Sequence, residues 1–221
     1  MKVELQEDKS TSKPDNAVVC AARGDYLSKS LVGATIEDAM EGTDKTKEEL
    51  IAGLLRSGHF GPFEHPKAYF FVEGISRVAM AQVTRHRHMS FDVQSQRYVD
   101  FSDKDPVVPP SFEENYPGGV RGDAILEDWW EDAVHRYELA LEEGIPKEDA
   151  RFFLPQATPV NLTFSANPRS LMHFFDLRNN AKAQWEAQDF AKQVLDECRS
   201  WAPLTFEGYE EYINNNSLRA P

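Results

Sequence analysis

The sequence predicts an α+β fold, a single domain over residues 1–221 with a mixed or antiparallel sheet flanked by long helices. Long stretches, above all 123–143 and 182–201, carry apolar residues at helical spacing. Shorter ones, the aromatic run AYFFV at 68–72 and the alternating run at 158–165, read as strands. No internal repeat orders the two kinds of segment, and the composition never breaks in a way that argues for a second domain.

In chain order, residues 1–16 are polar and read as a loose terminus or an edge strand, followed by a small apolar run at 17–22. Thr43 and Asp44 open a helix through Glu48, Leu50, Ile51, Leu54 and Leu55, with Gly58 as its stop, so His59 falls just past a helix end. Glycine and proline mark the turn before the strand at 68–72. From Ile75 the period is helical, with Ile75, Val78, Ala79 and Val83 on one stripe and an end near His88. Gln82 and Arg85, three apart on a neighbouring face, can reach one ligand. Residues 93–99 alternate like a strand, with Ser95 and Arg97 on one side and Gln94, Gln96 and Tyr98 on the other.

Pro106, Pro109, Pro110 and Pro117 make 100–119 a long loop. Residues 123–143 form an amphipathic helix through Ile125, Trp129, Val134, Tyr137 and Leu141, closed by Gly144. Pro146 opens another through Arg151 to Leu154, before the strand at 158–165. Asn167 then caps a helix with Pro168 at its first position, carrying Arg169 and His173 four apart and Arg178 at its end. Helices at 182–201 and 206–213 complete the chain.

The chain has 37 acidic against 24 basic residues, a net charge of -13. So negative a surface argues against non-specific nucleic-acid or anionic-membrane binding, and it would suit a salt-rich cytoplasm. The polar start and the lack of ~18 consecutive apolar residues predict neither a secretory signal nor a membrane span, hence a cytoplasmic protein. Cys20 and Cys198, without a CxxC, read as free thiols in a reducing compartment. Positive charge is concentrated in two windows, 77–98 and 151–182, each with four basic residues against one aspartate.

The denser window ends in RHRHMSFDVQSQRY, residues 85–98. Arg85, Arg87 and Arg97 stand among His86, His88, Ser90, Ser95, Gln94, Gln96 and Tyr98, with Asp92 the one acid. Guanidinium forks interleaved with hydroxyls and amides suit an anionic, polar, planar ligand. The same residues could equally form a basic, solvated helix end. His59, Glu64 and His65 supply metal-ligand types, but their spacing across a Gly-Pro turn lacks the i, i+4 geometry of a helical zinc site, and no metal is expected. Two further readings stay open: a non-catalytic nucleotide- or RNA-binding module, and a metal hydrolase.

Arg85-His86-Arg87, seven residues, Ser95 and then Arg97-Tyr98 resemble the RHR-x7-S signature of the flavin-dependent thymidylate synthases in its extended form. Gly58-His59 with Pro62-Phe63-Glu64-His65 resembles the family's upstream GH-xx-PFEH segment. Ala150-Arg151 with Leu154-Pro155 resembles its AR-xx-LP. Asn167-Pro168-Arg169-Ser170-Leu171, Leu177-Arg178 and Ala183-Gln184-Trp185-Glu186 resemble its N-x-RSL, LR and AQWE. The likeness runs in order over nearly the whole chain.

The resemblance implies that family's fold and its reaction: reductive methylation of deoxyuridylate (dUMP) to thymidylate (dTMP), with methylenetetrahydrofolate as carbon donor and NADPH-reduced FAD as hydride source. By position, Gln82, Arg85, Ser95, Gln96, Arg97, Arg151 and Arg178 match those that hold dUMP, with Arg97 and Arg151 toward its phosphate and Arg178, the catalytic candidate, toward the uracil ring. His59, Arg85, His86, Arg87, Asn167, Arg169 and His173 match those at the flavin. A homotetramer with shared active sites is also implied. Neither cysteine has the Pro-Cys-His context of the thymidylate synthases that attack uracil with a thiolate. The chain departs from the family in Asp92-Val93, where Asn-Glu is common, in Lys182, where histidine is usual, and in Gly61, where Ser or Thr is.

Overall fold

The computed structural model describes residues 1–112 and 121–215; the predicted loop residue Pro117 lies outside them. In order the chain forms β1 (Lys2–Leu5), α1 (Pro14–Gly24), α2 (Ile36–Met40), α3 (Lys47–Ser57), β2 (Ala68–Ser76), α4 (Arg77–Val83) and β3 (Ser90–Val93). Then follow α5 (Gly122–Glu142), α6 (Lys147–Ala150), β4 (Pro159–Ala166), α7 (Pro168–Arg178), α8 (Trp185–Trp201) and α9 (Pro203–Asn215). The strands make one antiparallel sheet in the order β1-β2-β4-β3, the α+β class expected. Among the described residues no helix is long and apolar enough to cross a membrane. Two compact units result: one of Met1–Lys2, Val72–Arg85 and Asp92–Leu162, the other of Val3–Phe71, His86–Phe91 and Thr163–Pro221.

In the first unit, α5 buries Leu126, Trp130, Ala133, Tyr137 and Ala140, whereas Ile125 and Trp129 are exposed. The expected stripe is therefore one residue out at its start, at Ile125 and Trp129, and correct at Tyr137. Both registers satisfy a period of 3.6; tertiary partners decide between them. Tyr137 and Ala140 pack with Ala150, Leu141 and Leu154, and the Trp130 indole N–H donates to the Lys104 carbonyl at 3.0 Å.

The helix expected from Ile75 to His88 is also shorter, because Ile75 still belongs to β2 and the Ser76 hydroxyl caps α4 by accepting from the Ala79 N–H. The strand predicted at 93–99 is a second correction. The strand ends at Val93, with one further bond from the Gln94 N–H to the Asn161 carbonyl at 2.8 Å, and the next residues close a turn in which Tyr98 and Val99 donate to the Ser95 carbonyl at 3.3 and 3.0 Å. The Ser95 Oγ accepts the Arg97 N–H at 3.2 Å, a local bond that competes with the sheet ladder. Ser95 and Arg97 thus project from a turn, not from one side of a strand.

The second unit is held by aromatic rings. Phe70 stacks on Phe164 with centroids 4.5 Å apart, Phe164 meets Phe190 at 5.6 Å, Phe190 meets Phe174 at 5.6 Å, and Phe175 meets Phe206 at 6.0 Å. Helix ends are specified locally. Thr46 and Glu49 form a reciprocal capping box, so α3 starts there and not at Thr43-Asp44. Gly58 ends α3 at φ 73°, the left-handed conformation that favours glycine, and sets His59 just beyond, as expected.

Asp15 caps α9 from across the unit, its carboxylate accepting from the Leu204 and Thr205 N–H groups. The Tyr209 hydroxyl donates to Asp176 at 2.7 Å, tying α9 to α7. On β1, the Val3 and Leu5 N–H groups donate to Gln193 and Glu197 of α8. Both cysteines are free, and Cys198 is buried in α8. Because Phe164 touches Phe70, Phe91 and Phe190 at 1 % exposure, Phe164→Ala should destabilise by about 3–5 kcal/mol in urea unfolding, with loss under 1 kcal/mol contradicting its central place.

Candidate functional site

The predicted residues divide between the two units. Gln82, Arg85, Ser95, Gln96, Arg97 and Arg151 belong to the first; His59, His86, Arg87, Asn167, Arg169, His173 and Arg178 belong to the second.

In the first unit, two arginines share one acidic residue. Arg97 forks onto the Glu148 carboxylate with Nε and Nη2 each at 2.7 Å, while the Arg151 Nε donates to the Glu148 backbone carbonyl at 2.8 Å. Arg77 completes the cluster: burial first, and then the charge of Arg151, lower its pKa, the sign expected of crowded positive charge. Arg77 and Glu148 were not singled out by sequence. The signal for Arg77 was present in the Ser76 cap at the junction of β2 and α4, but the influence of the Arg151 charge requires the fold. The bridges are solvent-exposed, so Glu148 holds Arg97 weakly. Gln96 is buried, whereas Arg85 is exposed.

Among the described residues, no imidazole or carboxylate accepts from the Ser95 hydroxyl, which is engaged as the acceptor for the Arg97 N–H. An activated serine nucleophile needs such a base. The serine is thus equipped to hydrogen-bond a ligand.

In the second unit, α7 gathers the remaining residues. Its apolar face, with Leu171, Met172, Phe174 and Phe175 buried, fixes the register in which Arg169, His173 and Arg178 emerge. Asn167 Oδ1 accepts the Ser170 N–H at 2.8 Å, and the Ser170 hydroxyl donates to the His88 carbonyl at 3.2 Å, joining the helix start to the segment after His86. Asn167's acceptor oxygen is thereby committed to capping. Arg169 pairs with Glu64, so this carboxylate has a cationic partner on the protein. Among the described residues no group of three or more His, Cys, Asp or Glu could hold a metal.

His86 is the middle residue of an exposed-buried-exposed triplet, with Arg85 and Arg87 facing solvent. Its ring lies edge-on to Phe174 at 4.9 Å and 6.0 Å from His173, and its Nε2 accepts from the Arg178 Nε at 3.0 Å. Burial, then the Arg178 charge and then His173 push its pKa down to about 4. The imidazole is neutral at physiological pH.

Of the family departures, Gly61 is not enforced by its surroundings: nothing lies within 4 Å of where a Cβ would sit, and its φ is not positive. Lys182 and Asp92 are exposed. Elsewhere in the first unit, an open groove of about 760 Å³ is lined by Asp103, Asp105, Glu127, Glu131 and His135. It contains none of the predicted residues, and its charge is wrong for a nucleotide.

Arginine forks, a neutral histidine and interleaved amides on an α+β frame define a binder of anionic, planar ligands, with donor sets that fit both a nucleotide phosphate and a flavin. The comparisons make this specific. Residues 9–204 match the family model described as thymidylate synthase complementing protein. The flavin-dependent thymidylate synthase of Haloarcula marismortui is 43% identical, with 99% of both chains covered, and that of Halobacterium salinarum is 42% identical over the same shares. A solved UMP/dUMP methylase from Streptomyces cacaoi bound with 5-Br dUMP superposes with a TM-score of 0.76 at 30% identity, covering 95% of this chain and 94% of that one. The chain belongs to the flavin-dependent thymidylate synthase family. Its reaction is the methylation of dUMP to dTMP, with FAD as cofactor.

Linkage gives the His86 shift a sign. The unfolded state, with a histidine pKa near 6.5, binds a proton that the native ring takes up only near pH 4, so stability is lost as pH falls between these values. Moving from pH 7 to pH 5 should lower the wild-type melting temperature more than that of His86→Gln, which has no ring to titrate. Parallel losses in the two proteins would place the His86 pKa near its ordinary value.

Proposed function

We propose that the chain acts as one functional domain in a homotetramer with shared active sites, in the cytoplasm, with NADPH reducing its flavin. The reading rests on one observation above others: the residues of the RHR-x7-S segment, with Arg151 and Arg178, divide into an arginine cluster suited to phosphate and an arginine held on a neutral histidine. Arg97 and Arg151 take the dUMP phosphate, for which displacing an exposed carboxylate such as Glu148 costs little. Gln82, Arg85, Ser95 and Gln96 hold the nucleoside. His59, Arg85, His86, Arg87, Asn167, Arg169 and His173 make up the flavin site, with Arg87 and Arg169 supplying its charge.

The bound flavin, once reduced, supplies hydride, and methylenetetrahydrofolate supplies the carbon. Arg178 is the catalytic residue. A guanidinium stays protonated near neutral pH, which excludes it as a base. Its planar fork instead stabilises negative charge that develops on N3 and O4 as the ring becomes nucleophilic at C5.

The flavin assignment is tested by purification. Wild-type protein should be yellow, and Arg87→Ala and Arg169→Ala should fold but retain less flavin by absorbance. Full occupancy in both variants would put these arginines outside the cofactor site. Colourless wild-type protein that takes up no added flavin would overturn the whole reading.

The Arg178 assignment is tested by Arg178→Lys, which keeps the helix-end charge but loses the fork. Turnover at saturating dUMP should fall by about tenfold or more, since a lost transition-state donor costs up to about 2.7–4 kcal/mol, while the melting temperature hardly moves. Wild-type turnover would make Arg178 structural.

A further inference from the structure

The middle residue of the RHR triplet is oriented unlike its neighbours. Arg85 and Arg87 are exposed, whereas His86 is 8% exposed, with its ring set edge-on to Phe174. Phe174 in turn meets Phe190, so the imidazole leans on the unit's aromatic core and has a fixed plane. Its one acceptor atom, Nε2, is taken by the Arg178 Nε at 3.0 Å. A guanidinium whose Nε–H is held by a fixed lone pair has one direction in its plane set, and the Cδ–Nε bond supplies the second, because Cδ, Nε, Cζ and both terminal nitrogens are coplanar.

We infer that His86 is a positioning residue for Arg178: its unprotonated Nε2 fixes the plane of the guanidinium before the nucleotide arrives, so the fork meets the pyrimidine already aimed. The inference rests on the reading of Arg178 as the group that polarises the ring, and it gives the motif's central histidine a role in addition to its place in the flavin site. Preorganisation is the physical gain, because a donor that need not reorient as charge develops contributes its full effect to the transition state. The environment keeps the acceptor in being. With a pKa of about 4, His86 stays neutral across the neutral range, its Nε2 lone pair available and its proton on Nδ1. The cations that face it, Arg178 and, when protonated, His173, both oppose its protonation.

The experiment is steady-state kinetics on flavin-loaded full-length enzyme at saturating dUMP, with flavin content and melting temperature recorded for each protein. His86→Leu removes the acceptor at similar volume, and His86→Gln restores one at the reach of Nε2. Arg178→Lys and the double variant His86→Leu/Arg178→Lys complete a cycle. The expected result is a fall in kcat of about tenfold for His86→Leu, a smaller change in the KM for dUMP, recovery of most of the loss in His86→Gln, and no added loss from His86→Leu in the Arg178→Lys background. Should His86→Leu fail to fold, His86→Asn, whose amide stops short of the Nε2 position, replaces it.

Turnover of His86→Leu within twofold of wild type overturns the inference, as does a Gln variant no better than Leu. An undiminished effect of His86→Leu in the Arg178→Lys background does the same. Lost flavin with unchanged turnover per bound flavin overturns it in favour of direct cofactor contact. A defect in Arg178→Lys with none in His86→Leu removes only the positioning role. Wild-type turnover in Arg178→Lys removes the Arg178 reading, and the positioning role with it.

Discussion

Everything on α7 depends on the packing of aromatic rings in the second unit. Phe70, Phe164, Phe190 and Phe174 form a continuous chain of contacts, and Phe174 is both a core residue of α7 and the surface against which His86 lies. A helix anchored in this way cannot rotate about its axis without breaking several buried contacts. Arg169, His173 and Arg178 therefore emerge at fixed angles, and a small error in the core would misaim these side chains.

A second constraint is the electrostatics of a chain with net charge -13 that must bind anions. Two of the arginines proposed for the site carry acidic partners. Arg97 lies on Glu148 and Arg169 on Glu64, in pairs whose members are all more than a third exposed. Such pairs contribute ~0–1 kcal/mol, so a phosphate can replace the carboxylate at little cost. In the proposed site the carboxylates would be weak placeholders for the long cationic side chains. Arg178 also donates to a neutral partner, the His86 imidazole.

The sequence made the family far more legible than the strand and helix boundaries. The RHR-x7-S spacing and its companion segments were readable because chemistry fixes residue type and order, and the Asn167-Pro168 start and the Gly58 stop were readable because caps act locally. What failed depended on contacts distant in sequence. The start of the α5 stripe fell one residue out because Trp129 and Trp130 satisfy the same period, and the bond from Trp130 to the distant Lys104 carbonyl distinguishes them. The strand expected at 93–99 lost to a hydroxyl: Ser95 has the alternation of a strand residue, but its side chain holds the Arg97 N–H and bends the chain. The His86–Arg178 bond spans 92 positions, and no periodicity in one chain encodes it.

At β1 the sheet ends, and an outermost strand ordinarily presents unpaired N–H groups that recruit another strand, which makes it a template for aggregation. Here Val3 and Leu5 donate to Gln193 and Glu197, side chains one turn apart on α8. The row of donors that a foreign strand would need is already occupied by a helix of the same chain. Those two α8 side chains therefore serve as a guard against polymerisation, protecting the protein at the end of the sheet where growth would otherwise begin.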